Sequence, residues 1–147
     1  MRRSLGRGRA TVGIGAVLAL IGLVMPWWTV GGESGLPVQT GNGFNGAAIA
    51  VFIASIGLLA LLVLPYASSS GSSSFDHPLV YALLGGLAIA GLVIQIFQLW
   101  SDNALDLWPP DQSPGMWLTI VGVAIIGWGI GDLLSEGVPK PPVRPLR

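Results

Sequence analysis

The sequence predicts an all-α integral membrane protein, a four-helix bundle made of two antiparallel transmembrane hairpins with both termini in the cytoplasm. Three observations support this prediction. Four long apolar runs divide the chain, and every Lys and Arg lies before the first run or after the last. Only 10% of the residues are charged, against roughly a quarter in soluble domains. The 147 residues are therefore expected to form a single transmembrane domain.

The four apolar runs each have about the length that a membrane requires. A helix rises about 1.5 Å per residue, so about 20 apolar residues cross a hydrocarbon core of about 30 Å. None of the runs contains Lys, Arg or Glu. The first run also has the charge pattern of a signal peptide, but no small-residue cleavage site follows it, so we expect an uncleaved helix. The predicted spans cover residues 10–28, 44–65, 78–100 and 115–134.

The distribution of charge predicts how the bundle is oriented in the membrane. All seven basic residues lie within residues 1–9 and 140–147. The positive-inside rule therefore places both termini in the cytoplasm. The two connections that then face outward contain acidic residues and no base, and these acids are Glu33, Asp102, Asp106 and Asp111.

The segments outside the spans are too short to form a soluble domain. The inner loop, residues 66–77, is rich in serine and is predicted to be a flexible linker. The Pro-rich tail, residues 137–147, is predicted to be disordered. We expect Asp76 to cap the third helix, with Pro78 in its first turn. Any activity is therefore expected to belong to the helices, the outward loops or a partner.

Small residues along the spans predict where the helices touch, because helices in a bilayer associate through close backbone packing. In the first two spans they recur about every 3.5 residues, so we expect these two seams to meet in a tight hairpin. The third and fourth spans carry two small-residue faces each, which exceeds what four helices need and points to a partner. The predicted packing residues are Gly15, Ala19, Gly22, Ala47, Ala50, Ala54, Gly57, Ala82, Gly86, Ala90, Gly127 and Gly131.

Polar and aromatic side chains near the outer ends of the spans are the candidate contact residues. The two glutamines of the third span either form interhelical hydrogen bonds or mark a partner or ligand site. The tryptophans either form an aromatic belt at the lipid headgroups or anchor a partner. The candidate partner or ligand contacts are Trp27, Trp28, Gln95, Gln98, Trp100, Trp108 and Trp117.

The composition excludes most catalytic and cofactor chemistry. Without cysteine the chain has no thiolate nucleophile, and its single histidine cannot supply a two-histidine metal site. No phosphate-binding loop, dinucleotide fingerprint, zinc-protease motif or nucleophile elbow occurs. We therefore expect no catalytic residue, no metal and no cofactor. We also expect no nucleic-acid partner, because the basic tails are short and lie against a membrane.

Two short motifs give the chain a family resemblance. The Pro-Trp-Trp-Thr step at residues 26–29, the Ser-Pro-Gly-x-Trp-Leu segment at residues 113–118 and the glycine-rich helices resemble the small four-helix membrane proteins common in actinobacteria. The resemblance implies a bacterial plasma-membrane protein. It supplies no catalytic residues.

These observations favour a non-enzymatic multi-pass protein of the bacterial plasma membrane. We expect an accessory or scaffolding subunit that contacts membrane lipids and other membrane-protein subunits or copies of itself. The alternative is a small carrier or lipid-binding membrane protein with a cavity under the outer, tryptophan-rich rim, lined by Gln95 and Gln98. A closed, packed core around both glutamines would argue against that alternative, whereas an open outer cleft would support it.

Overall fold

Four helices and one two-stranded sheet make up the part of the chain that the structure describes. The computed structural model describes residues 6–31, 35, 37–67, 77–102 and 113–136. Most of the serine-rich linker, Trp108 and the tail 137–147 lie outside these residues. In chain order the elements are α1 (Arg7–Val24), β1 (Pro26–Val30), β2 (Gln39–Asn42), α2 (Ile49–Ala67), α3 (Pro78–Ser101) and α4 (Pro114–Glu136).

Among the described residues, three helices, α1, α3 and α4, are long and apolar enough to cross a membrane. The segment Ile49–Leu64 of α2 is also apolar but shorter. Large apolar side chains cover the outward faces of the helices. Leu83 on α3 and Ile14 on α1, for example, are 73% and 59% exposed. Helices that are apolar on every face are typical of membrane spans.

The described chain is mostly helical, as predicted, but the connection between α1 and α2 contains a β-hairpin that was not predicted. A helix is expected through residue 28, but α1 ends at Val24 and Met25 is extended, with φ −73° and ψ 161°. The proline ring of Pro26 disfavours a helical conformation at the residue before it. The following Trp, Thr and Val residues favour a strand, and β1 pairs with β2 in antiparallel fashion.

The hairpin contains an irregular register and a turn that requires glycine. Trp28 pairs with Gly41, and the register shifts between Pro26 and Trp28. In the turn, Gly31 has a φ of +93°, which side chains other than glycine rarely adopt. A Cβ at this position would also lie 2.5 Å from the carbonyl oxygen of Pro37. Any larger residue at position 31 would therefore strain the hairpin.

The most extensive helix contact joins α1 to α4. Glycines recur every seven residues on both helices, and this spacing keeps them on one face of a shallowly crossing pair. A Cβ on Gly15 would lie 2.7 Å from the Gly122 carbonyl oxygen, and one on Gly122 would lie 2.5 Å from the Ala19 nitrogen. The facing pairs, which show that the two helices have opposite chain directions, are Gly8 with Gly129, Gly15 with Gly122 and Gly22 with Gly115.

The predicted meeting of the small-residue seams of the first two spans is therefore wrong. Gly15 and Gly22 pack against α4. The α2 seam instead contacts α3, because a Cβ on Gly91 would lie 2.6 Å from the Cβ of Ala50, and Gly57 faces Leu84. The physical reason is that facing glycines allow the backbones of α1 and α4 to approach more closely than the alanines of α2 would.

The small residues of α3 and α4 that were predicted to pack against other helices mostly face away from the rest of the described chain. They are Ala82, Gly86, Ala90, Gly127 and Gly131. No described atom lies within 4 Å of a Cβ built on Gly86, Gly127 or Gly131. Ala90 is exposed and Ala82 is half-buried. The opposite faces of both helices make the internal contacts instead.

The N-terminus of α3 is capped by His77. Its Nδ1 atom accepts a hydrogen bond from the backbone N–H of Leu79 at 3.3 Å. Because Pro78 is the first helical residue, the cap position falls on residue 77. Asp76, which was predicted as the cap, lies outside the described residues.

Candidate functional site

One end of the bundle, which we call the hairpin end, brings together most of the candidate residues that the structure describes. Gly115, at the start of α4, lies against the carbonyl oxygen of Met25, just after α1. Gly46, just before α2, lies against the side chain of Gln95 near the end of α3. The β-hairpin and the turn that precedes α2 therefore cover the end of the bundle where α3 ends and α4 begins.

Trp27 belongs to the core, although it was a candidate partner contact. Its side chain is only 1% exposed, and its indole N–H donates to the carbonyl oxygen of Gly22 at 3.0 Å. In a continuous helix that carbonyl would accept from the N–H of residue 26, which proline lacks. Trp27 thus replaces a hydrogen bond that Pro26 removes. Its burial rules out direct contact with a partner or ligand.

Trp28 lies on the other side of the hairpin strand. Its indole ring packs directly over Gly41, its partner on β2, where a Cβ would collide with the ring. Trp28 is half-buried. Glycine at position 41 therefore makes room for the indole, whose remaining surface faces a cleft.

The other described tryptophans differ in their surroundings. Trp100 is 66% exposed and contacts Phe97 edge to face, with ring centroids 6.3 Å apart. Trp117 is half-buried and packs against the core. Within the described structure, the buried indole nitrogen of Trp117 and the buried hydroxyl of Ser113 have no hydrogen-bond partner. Trp100 is thus the described candidate tryptophan with most of its ring available to another molecule.

Gln95 joins two helices. It is 4% exposed, and its Oε1 atom accepts a hydrogen bond from the backbone N–H of Ala48 at 3.2 Å. Ala48 directly precedes α2, where N–H groups have no partner within the helix. Gln95 therefore makes the interhelical hydrogen bond that was one of the two interpretations of the glutamines. Gln98 is exposed.

The Gln95→Leu variant should lower the free energy of unfolding by about 1–3 kcal/mol, because it leaves the buried N–H of Ala48 unpaired. The matched control is Gln98→Leu, the same change one turn later at an exposed position, which should shift stability by no more than about 0.5 kcal/mol. Thermal unfolding in detergent micelles, followed by circular dichroism, measures both. Equal losses in the two variants would contradict a structural role that is specific to Gln95.

An open cleft of about 410 Å³ lies at the hairpin end. Its walls come from β1, from the turn before α2 and from the last turns of α3. Aromatic and aliphatic side chains are combined with amide, hydroxyl and carboxylate groups, so the cleft is suited to an amphiphilic molecule. The lining residues are Trp28, Asn45, Gln95, Phe97, Gln98, Leu99, Ser101 and Asp102.

The charge of the cleft lining is negative. Asp102 occupies the C-cap position of α3, and its backbone N–H donates to the Gln98 carbonyl oxygen at 3.0 Å. The unpaired carbonyl groups at a helix C-terminus add a partial negative charge. None of the lining residues is basic. The cleft therefore favours a cation over an anion.

Sequence patterns found only some of the residues of this site. They singled out Trp28, Gln95 and Gln98, but missed Asn45 and Ser101, because these residues come from separate segments with no common spacing. Among the described residues, no three His, Asp or Glu side chains come together as metal ligands.

Comparison with protein-family models, with curated proteins and with solved structures gives no match. Two geometric features of the described chain bear on function. One is the cleft at the hairpin end, and the other is the set of glycines on α3 and α4 that have no described neighbour, Gly86, Gly127 and Gly131.

Proposed function

We propose that the chain is a non-enzymatic, multi-pass protein of the bacterial plasma membrane that acts as an accessory or scaffolding subunit. In this proposal both termini are cytoplasmic and the hairpin end faces outward, because all basic residues flank the first and last spans. The apolar outward faces of the helices support insertion in the membrane.

Two of the polar side chains buried in the described helices are engaged in hydrogen bonds. Gln95 accepts a hydrogen bond from Ala48. Thr119, which is fully buried, donates its hydroxyl to the carbonyl oxygen of Gly115 at 2.8 Å. Gln95 is thus engaged between α3 and the start of α2, and Thr119 is engaged within α4, which supports a structural role for these two side chains. The buried hydroxyl of Ser55 on α2 has no hydrogen-bond partner in the described structure.

The observation that carries the proposal is a glycine face on the outside of the α3–α4 pair. Gly85 on α3 packs against Ile130 on α4. Gly86 and Gly131 follow these two residues by one position, and each step rotates a helix by about 100°. Because α3 ends and α4 begins at the hairpin end, the helices have opposite directions. The same rotation therefore places both glycines on one side of the pair, and Gly127 lies one turn from Gly131.

This glycine face, Gly86, Gly127 and Gly131, lies away from α1 and α2. The residues that contact those helices, Gly122 and Gly91, are on the other side of the pair. A glycine without a neighbour exposes backbone to which another helix can approach closely. The proposed partner is therefore a membrane helix with small residues on the contacting face.

A variant with Gly86→Leu and Gly127→Leu should lower the yield of the co-purified partner about tenfold or more, because bulky side chains in a close helix contact cost about 1–3 kcal/mol. Purification in mild detergent with mass spectrometry measures that yield. The matched control is Ala60→Leu, which adds the same bulk at an exposed position on α2 and should leave the yield unchanged. A wild-type chain that elutes alone, without partner or self-association, would contradict the proposal.

Lipid binding is a second candidate function, and the open cleft at the hairpin end favours it. The cleft has polar and apolar walls and reaches Gln98, whereas Gln95 closes its inner side through the bond to Ala48. This geometry suits a lipid held at the surface of the bundle more than a molecule carried through its centre.

A further inference from the structure

The chemistry of the cleft at the hairpin end distinguishes between lipid headgroups. Asp102 is a carboxylate at the negative end of α3. The indole face of Trp28 attracts cations, and both side chains line the cleft. A cationic group in the cleft therefore has both a carboxylate and an aromatic ring among the lining residues.

We propose that the cleft binds the primary ammonium group of a membrane lipid headgroup, such as that of phosphatidylethanolamine. This inference rests on lipid binding, the second candidate function above. It adds the class of headgroup and the residues that select it.

The lining favours a primary ammonium over a quaternary one. A primary ammonium has three N–H donors, and the lining offers side-chain oxygen atoms of Asp102, Gln98 and Asn45 as acceptors. A quaternary ammonium has no N–H donor, and its recognition depends on cages of several aromatic rings. Here Trp28 and Phe97 are the aromatic members of the lining. The amide N–H groups of Gln98 and Asn45 can also donate to the adjoining phosphate.

The position of the cleft favours a lipid over a small soluble amine. It lies at the end of α3, the most apolar of the candidate membrane-spanning helices. On the side toward the middle of that helix, the lining includes Phe97, which is 61% exposed, and Leu99. An amphiphile can place its ammonium group near Asp102 while its chains follow the apolar surface of the helix.

Native mass spectrometry of the full chain in detergent micelles tests the proposal. The protein is titrated with phosphatidylethanolamine, with its mono- and dimethylated forms and with phosphatidylcholine of the same acyl chains. Affinity should fall as N–H donors are lost, by about tenfold across the series, which is the size expected for one charge-assisted hydrogen bond. Asp102→Asn should weaken phosphatidylethanolamine binding by a similar factor and phosphatidylcholine binding by less, because the quaternary ammonium loses the charge attraction but no hydrogen bond.

Asp132→Asn is the matched control, because it removes one carboxylate near the opposite end of α4 and should not change binding. A second variant, Ser101→Trp, fills the cleft with a large side chain. It distinguishes lipid binding in the cleft from selection of the headgroup. If the wild type binds all four lipids equally and Ser101→Trp weakens them all, lipid binding stands and headgroup selection is overturned. If Ser101→Trp changes nothing, both are overturned. Asp102-dependent binding of soluble ethanolamine without any lipid preference would also overturn the assignment to a lipid.

Discussion

Replacing Gly122 with alanine should destabilise the bundle by about 1–3 kcal/mol, the usual cost of inserting a methyl group where no space exists. The new Cβ would lie 2.5 Å from the backbone nitrogen of Ala19 and 2.8 Å from the carbonyl oxygen of Gly15. Both are backbone atoms, so α1 and α4 must move apart. Unfolding by sodium dodecyl sulfate in mixed micelles, followed by circular dichroism, measures the loss.

The same helix supplies the control for this experiment. A Cβ on Gly127 would have no described atom within 4 Å. Alanine has a higher helix propensity than glycine, so Gly127→Ala should leave stability unchanged or raise it slightly. Equal unfolding midpoints for the two alanine variants would show that the close contact between α1 and α4 does not contribute to stability.

Trp27→Ala should have the larger effect, a loss of about 3–5 kcal/mol, because it removes the largest fully buried side chain of the described core. Trp27→Phe keeps most of the volume but loses the hydrogen bond to Gly22, and it should cost about 1 kcal/mol. Thermal unfolding and the near-ultraviolet circular dichroism of the tryptophans both report these changes.

Trp100→Ala provides the comparison, since it removes the same side chain from a site that is 66% exposed. Its effect on stability should be no more than about 0.5 kcal/mol. If Trp27→Ala and Trp100→Ala had equal effects, Trp27 would not be the core residue that its burial indicates.

The positions of the helices could be predicted from the sequence far better than their contacts. The third and fourth apolar runs coincide with α3 and α4 to within about two residues, because the length of an uninterrupted apolar run limits the helix. The first run did not predict where α1 ends, because Trp27 and Trp28 are as apolar as the helix before them. Only Pro26 indicated the boundary, and hydropathy does not register the change to a strand.

The sequence also contained a signal for the contact between α1 and α4, although α1 was predicted to pair with α2. Glycines recur every seven residues at positions 8, 15 and 22 and again at 115, 122 and 129. The recurrence of small residues about every 3.5 positions in the first two spans led to α1 being paired with α2. The equal seven-residue spacing of glycines on α1 and α4 was the stronger indication. It places glycines opposite each other along both helices, so the two backbones can lie close together over that whole length.

At the candidate site, too, the sequence identified residues without showing their separate roles. Gln95 and Gln98 are both conspicuous in an apolar helix, and no sequence pattern distinguishes their roles. The three-residue separation points one side chain toward Ala48 and leaves the other exposed at the cleft. Asn45 and Ser101 come to line the same cleft only because the turn before α2 packs against the end of α3.

The contact between α1 and α4 has a consequence for the order in which the bundle can assemble during synthesis. During synthesis α1 leaves the ribosome first among these helices, and its partner leaves last. Until α4 has been synthesised, Gly8, Gly15 and Gly22 of α1 lack the helix that covers them, while α2 and α3 can already join. The contact between α1 and α4 can therefore form only after the intervening helices have been made, and a chain that ends before α4 would leave these glycines of α1 uncovered.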